Sequence, residues 1–78
     1  MLEFHAAADQ RWDADEMGCG ELVLKLNLRL RGMSPGQVLW LTALDSGAKE
    51  DIPAWCVMTR HRLVATKHPD YWIERRQD

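Results

Sequence analysis

Across residues 21–31 no proline or glycine interrupts the chain, and Val23, Leu26, Leu30 and Met33 recur at three- and four-residue steps. That spacing predicts an amphipathic helix with one buried stripe. Leu24 and Leu28 fall roughly opposite the stripe, so one sheet cannot cover both sets, and these two are read as exposed. The helix ends at Gly32, and the chain turns through Ser34-Pro35-Gly36. Residues 37–44 then read as a strand, with Val38, Trp40 and Leu44 on one face and Leu39, Leu41 and Ala43 on the other. Asp45-Ser46-Gly47 breaks the strand, and Asp45 or Ser46 is placed to cap a second helix. Pro53 argues against one uninterrupted helix over residues 48–59. The reading is a turn, then a helix with Asp51 near its N-cap, Pro53 in its first turn, and Ile52, Trp55, Cys56 and Thr59 on one side. Residues 62–66 and 71–75 form an antiparallel hairpin about Lys67-His68-Pro69-Asp70, and residues 10–13 are a further short strand. Residues 1–8 read as disordered or frayed, leaving residues 9–78 as a single domain.

The order β-α-β-α-β-β predicts an α/β two-layer sandwich: a four-stranded mixed sheet with two helices on one face. The other face then stays uncovered. It would carry Val38, Trp40 and Leu44, and also Trp72 if Tyr71 and Ile73 point inward. An apolar open face of this kind is expected to dock a partner subunit or a second copy of the chain, giving a homodimer. The alternative is that Trp40 lies flat over its neighbouring strands.

Size and charge narrow the function. A chain of 78 residues is one domain, and it buries only about 60–65% of the surface that its unfolded form exposes. No apolar run approaches the ~18 residues of a membrane span. Glu3, His5 and Asp9 break up a signal-peptide layout, so a cytoplasmic location and no membrane contact are expected. Two cysteines, Cys19 and Cys56, are too few for a disulfide framework, and no CxxC or HxxxH pair starts a zinc site. Residues 1–21 carry six acids against Arg11, while residues 58–78 carry five basic residues against three acids. That asymmetry is too weak for a nucleic-acid footprint. Arg60, Arg62, Arg75 and Arg76 also lack the adjacent aromatics of an RNA-stacking surface, so no direct nucleic-acid contact is expected.

The candidate chemistry sits in Met17-Gly18-Cys19-Gly20-Glu21, which runs directly into the first helix. Free backbone N–H groups and the positive end of the helix dipole favour a thiolate there, which makes Cys19 a candidate nucleophile. Cys56 lies on the apolar side of the second helix and reads as a small buried hydrophobe. His5 and His68 read as exposed and His61 as a turn residue; none is expected to act as a ligand.

Several spaced anchors then agree with one another. They are Trp12-Asp13, Cys19-x-Glu21-x-Val23, Met33-x-Pro35-Gly36, Asp45, Asp51-Ile52-Pro53-x-Trp55-Cys56, His61-x-Leu63 and Tyr71-x-Ile73. Over about residues 12–76 this pattern resembles the TusA (SirA-like) family of small sulfur carriers. The resemblance implies that Cys19 accepts persulfide sulfur from a donor protein, a cysteine desulfurase or a rhodanese, and passes it to an acceptor protein. It also implies service in tRNA thiolation or sulfur metabolism, with no cofactor or metal. Cys19 would be the counterpart of the cysteine that opens the family's Cys-Pro-x-Pro motif. Gly20 and Glu21 would support it, and Leu24, Leu28, Trp40 and Trp72 would be partner-docking positions. The chain departs from the motif at Gly20 and Leu22, which stand where the family has prolines, and at Gly18, where an arginine is common. Loss of that cation beside Asp15, Glu16 and Glu21 works against a thiolate. The competing reading is a non-catalytic binding or regulatory domain of the same fold with a decayed motif.

Overall fold

Strand alternation and helix period put their apolar residues on one side of a single sheet. The structure, a computed structural model, describes residues 8–77, with Cys19 described by its backbone alone. The elements are β1 (Gln10–Asp13), α1 (Cys19–Arg31), β2 (Val38–Thr42), α2 (Ala48–Thr59), β3 (Arg62–Lys67) and β4 (Asp70–Glu74), in the predicted order. The sheet order is β1-β2-β4-β3, with β1 parallel to β2 and β4 antiparallel to both of its neighbours. Strands β1, β2 and β3 therefore share one direction. Each helix links two of them and runs back against them, so α1 and α2 are parallel to each other. The N-terminal stretch expected to be frayed, residues 1–8, lies outside the described residues except for Ala8.

Leu39, Leu41 and Ala43 from β2 and Tyr71 and Ile73 from β4 are buried together with Leu26, Leu30 and Met33 from α1 and Ala48, Ile52 and Cys56 from α2. One correction concerns where the α1 stripe begins. Leu22 is fully buried and starts it, whereas Val23 is half-buried at its margin. Both 22, 26, 30 and 23, 26, 30 fit the helical period, and packing against the sheet selects Leu22. Leu22 also donates its N–H to the Gly18 carbonyl at 2.8 Å, closing the first turn of α1, a bond that a proline could not make.

A second correction concerns Pro53, which lies inside a single helix over Ala48–Thr59. The N-cap is Gly47 rather than a residue near Asp51, and the Asp45 carboxylate accepts the Gly47 N–H at 3.1 Å. Pro53 forfeits a bond to the carbonyl of Lys49, an exposed residue whose carbonyl water can satisfy. Burial of Ala48, Ile52, Trp55 and Cys56 outweighs that loss. Burial also pushes the Cys56 thiol up from an ordinary 9.0 to about 12.

The turns and helix ends follow from specific residues. Gln37 donates to the Ser34 carbonyl at 3.1 Å across Pro35-Gly36, and Gly36 takes φ +88°, the type II position that glycine favours. The carboxyl ends of both helices are capped from the C-terminal tail. Arg75 Nε donates to the Leu30 carbonyl at 2.9 Å, and Arg76 Nη1 donates to the Thr59 carbonyl at 2.7 Å.

The face away from the helices is less open than its sequence pattern suggests. Trp72 is only 8% exposed and stacks on half-buried Trp40 at 5.7 Å. Trp40 Nε1 donates to Asp70 at 3.0 Å, Thr42 donates to the same carboxylate at 2.7 Å, and the Arg11 guanidinium lies 4.4 Å from the Trp40 ring centroid. The tryptophan thus lies over its neighbouring strand in a polar frame, the alternative recognised from the sequence.

Two measurements test this packing. Leu22→Pro removes a core side chain and the bond to Gly18, so it should cost at least about 3 kcal/mol. That loss should lower Tm by roughly 12 °C or more in a domain of this size. At Gly20 a Cβ would meet nothing within 4 Å, so Gly20→Ala should leave the fold intact and add about 0.5–1 kcal/mol. The second measurement follows Cys56. Its folded-state thiol stays protonated while the unfolded thiol ionises, so stability should fall as pH rises from 9.0 towards about 12. The loss should be at most about 4 kcal/mol. Cys56→Ala should flatten that part of a stability-against-pH curve, and identical slopes would refute the assignment.

Candidate functional site

The backbone that carries Cys19 is fixed before the helix begins. Ala14 donates to the Thr42 carbonyl at 2.9 Å, Leu44 donates to the Asp15 carbonyl at 3.0 Å, and Met17 donates to the Ala14 carbonyl at 3.1 Å. Asp15 adopts φ 56°, and its N–H is accepted by the Asp13 carboxylate at 2.9 Å, a local bond of the kind that lets aspartate hold the left-handed conformation. These bonds tie the β1–α1 loop to the end of β2. The chain then enters α1 through Gly18, extended at φ −68° and ψ 155° as the N-cap, with Cys19 as the first helical residue.

The bond from Leu22 to Gly18 marks where intrahelical pairing starts. The N–H groups of Cys19, Gly20 and Glu21 precede it and have no helical acceptor. No described side chain caps this end of the helix. Such an end stabilises a neighbouring anion through its free amides and its dipole. Opposing this are exposed Asp15, Glu16 and Glu21. Because the helices are parallel, Glu50 and Asp51 of the first turn of α2 lie at the same end. Glu21 pairs with Lys25 at 4.0 Å.

Two grooves flank α1. One, of ≈ 320 Å³, lies between α1 and α2 and is lined by Gly20, Val23, Asp51, Ala54, Trp55 and Met58. The other, of ≈ 380 Å³, lies between α1 and β1 and is lined by Trp12, Met17, Lys25, Leu28 and Arg29. Leu24 and Leu28 are 61% and 57% exposed, as their place opposite the stripe predicts. Gly20, Glu21, Leu24 and Leu28 thus share α1 with Cys19. Trp40 and Trp72 sit apart from them, on the face of the sheet that the helices leave uncovered.

Sequence reasoning missed three contributors to this region. Met58 is 76% exposed beside Gly20, and its signal was its place off the face formed by residues 52, 55, 56 and 59. Trp12 and Met17 form the wall of the second groove, and nothing in the linear pattern pairs them with Lys25 and Arg29. The two described histidines stay out of the site. His61 accepts the Arg76 N–H at 3.1 Å, exposed His68 contacts the Tyr71 hydroxyl at 2.6 Å, and His5 lies outside the described residues.

Comparison with known proteins agrees with this geometry. The family described as Sulfurtransferase TusA matches residues 10–75, nearly the whole chain. A sulfur carrier protein TusA from Pseudomonas aeruginosa is 33% identical over 76 residues, covering 92% of this chain and 96% of that protein. The protein of the same name from Pseudomonas syringae pv. syringae is 34% identical over 74 residues, covering 90% and 88%. With the β-α-β-α-β-β sandwich and a cysteine as the first residue of α1, the chain belongs to the TusA family of sulfur carriers.

Proposed function

We propose that this protein is a sulfur carrier that relays persulfide sulfur on Cys19. The donor is a cysteine desulfurase or a rhodanese, and the acceptor is a second protein of tRNA thiolation or sulfur metabolism. The observation that carries the reading is a family match over residues 10–75 together with a cysteine in the first, uncapped turn of α1. In the first transfer, the Cys19 thiolate attacks the terminal sulfur of the donor's persulfide. The donor's S–S bond breaks, the donor cysteine leaves as a thiolate, and Cys19 carries the persulfide anion. In the second transfer, an acceptor thiolate attacks that terminal sulfur and the Cys19 thiolate leaves. The charge moves with the sulfur in both steps, so free amides at the helix start favour the thiolate and the persulfide alike. Exposed Leu24 and Leu28, on the same helix, provide apolar surface for the partners to grip.

The changed motif gives the decayed-domain reading its specific support, since Gly20 and Leu22 replace both family prolines. Two local features support the carrier reading despite that change. Buried Leu22 anchors the first turn and bonds to Gly18. Gly18 has an ordinary extended backbone, and a Cβ there would meet nothing within 4 Å.

Incubation with a cysteine desulfurase and cysteine should add one sulfur atom to the wild-type chain by intact mass, and none to Cys19→Ser. Gly18→Arg puts back the cation common in the family. It should raise the alkylation rate of Cys19 at neutral pH by roughly three- to tenfold. A wild-type chain that gains no sulfur from any persulfide donor, with a Cys19 alkylation rate no faster than that of a free thiol, would leave only the binding-domain reading.

A further inference from the structure

A carrier meets at least two partners, and the two flanks of α1 do not offer them the same chemistry. Among the described residues, the groove towards α2 has Asp51 as its one charged lining residue, whereas the groove towards β1 is lined by two cations, Lys25 and Arg29, and by no carboxylate. From the second groove we infer a docking site for a segment of a partner protein that presents an apolar side chain flanked by aspartate or glutamate. The inference rests on the carrier reading, because that reading is what requires a partner beside Cys19.

Four observations support this choice of occupant. The floor and walls are apolar: Trp12 and Met17 are half-buried and Leu28 is 57% exposed, so a seated side chain would cover surface that is now wet. The Arg29 guanidinium lies 4.6 Å from the centroid of the Trp12 ring, which holds a planar fork in place before any partner arrives. No described carboxylate pairs with Arg29, and the one described ion-pair partner of Lys25 is Glu21, an exposed contact at 4.0 Å of the kind that contributes little. Charge complementarity therefore favours carboxylates at the rim. Finally, Met17 is separated from Cys19 by Gly18 alone, so a segment seated there would lie beside the helix start. The apolar floor separates this occupant from a nucleic-acid backbone, which would use the cations and leave Met17 and Leu28 uncovered.

A random-peptide phage library panned on the full chain tests the inference, with counter-selection on the charge-reversed variant Lys25→Glu/Arg29→Glu. Circular dichroism should first show that the variant is folded. Enriched peptides should carry a leucine, methionine or aromatic residue flanked by acids. Their affinity should fall about tenfold or more on the double variant. Replacing their acids with lysine should abolish binding to the wild type and restore it to the variant. Two-dimensional NMR should show the Trp12 indole and the Leu28 methyl groups shifting on binding. The inference is overturned if no peptide exceeds background, if the enriched peptides lack acids, or if the double variant binds equally well. Tighter competition by an RNA oligonucleotide than by the acidic peptide would also overturn it. Sulfur loading from glutathione persulfide needs no docking and is measured separately. Loading without peptide binding would sink this site alone, and binding without loading would sink the relay alone.

Discussion

The position of Leu22 constrains everything at the business end of α1. Its side chain is fully buried under the sheet, and its N–H closes the first helical turn on Gly18. One residue therefore fixes both how deep the helix sits and where its pairing begins. Cys19 lies three residues earlier, a little under one turn, so the helix cannot slide or rotate without pulling a leucine out of the core. Large-to-small changes at such core sites cost about 2–5 kcal/mol. Few features of a 78-residue domain could match that. The loop before the helix adds an independent restraint, because Ala14 and Asp15 bond to the end of β2 on the other side of Gly18.

Parallel helices give the charge asymmetry of the sequence a structural meaning. The amide ends of α1 and α2 point the same way and carry Glu21, Glu50 and Asp51 in their first turns. The carboxyl end of α1 carries Arg29 and Arg31, and the guanidiniums of Arg75 and Arg76 bond directly to Leu30 and Thr59. Acids at amide ends and cations at carboxyl ends each contribute about 0.3–1 kcal/mol. The basic C-terminal stretch, which by charge alone resembles a weak anion-binding tail, thus has much of its charge engaged in closing two helices. Arg75 and Arg76 are capping residues first.

Elements governed by local periodicity were legible in the sequence. The alternation of Leu39, Trp40 and Leu41 assigned both faces of β2, and the run without glycine or proline from residue 21 placed α1. Where tertiary packing overruled a local rule, the reading failed. Proline statistics argue for a break at Pro53, but a buried helix face and a solvent-side carbonyl let α2 run through it. Val23 and Leu22 fit the helical period almost equally well, and only the docking angle of α1 on the sheet chooses between them. The frame around Trp40 was illegible for a different reason. Arg11, Thr42 and Asp70 come from three strands, and their meeting depends on the β1-β2-β4 neighbour order, which the linear pattern does not give. The site divides in the same way: Cys19 at a helix start is local information, whereas both grooves need the packed arrangement.

Magnitudes show which part of the site the fold controls. A helix start favours a neighbouring anion by about 0.3–1 kcal/mol. A single exposed carboxylate about 4 Å away opposes it by about 1 kcal/mol in water, and salt screens that further. The two effects are similar in size and opposite in sign, so the electrostatics of such a helix start come close to cancelling. Placement is different, because nothing of comparable size opposes it. Three backbone bonds in the loop and one buried leucine hold the Cys19 backbone at the end of the sheet, with a groove on each side of its helix. Transfer of one sulfur atom between two thiolates needs the reacting atoms in line and close, and few effects available to a protein accelerate a reaction more than correct positioning of the reactants. On the carrier reading, the domain would contribute to such a transfer chiefly by geometry. The restraints behind that geometry come from the loop bonds and from Leu22, so a defined position for the Cys19 backbone needs no proline at position 20 or 22.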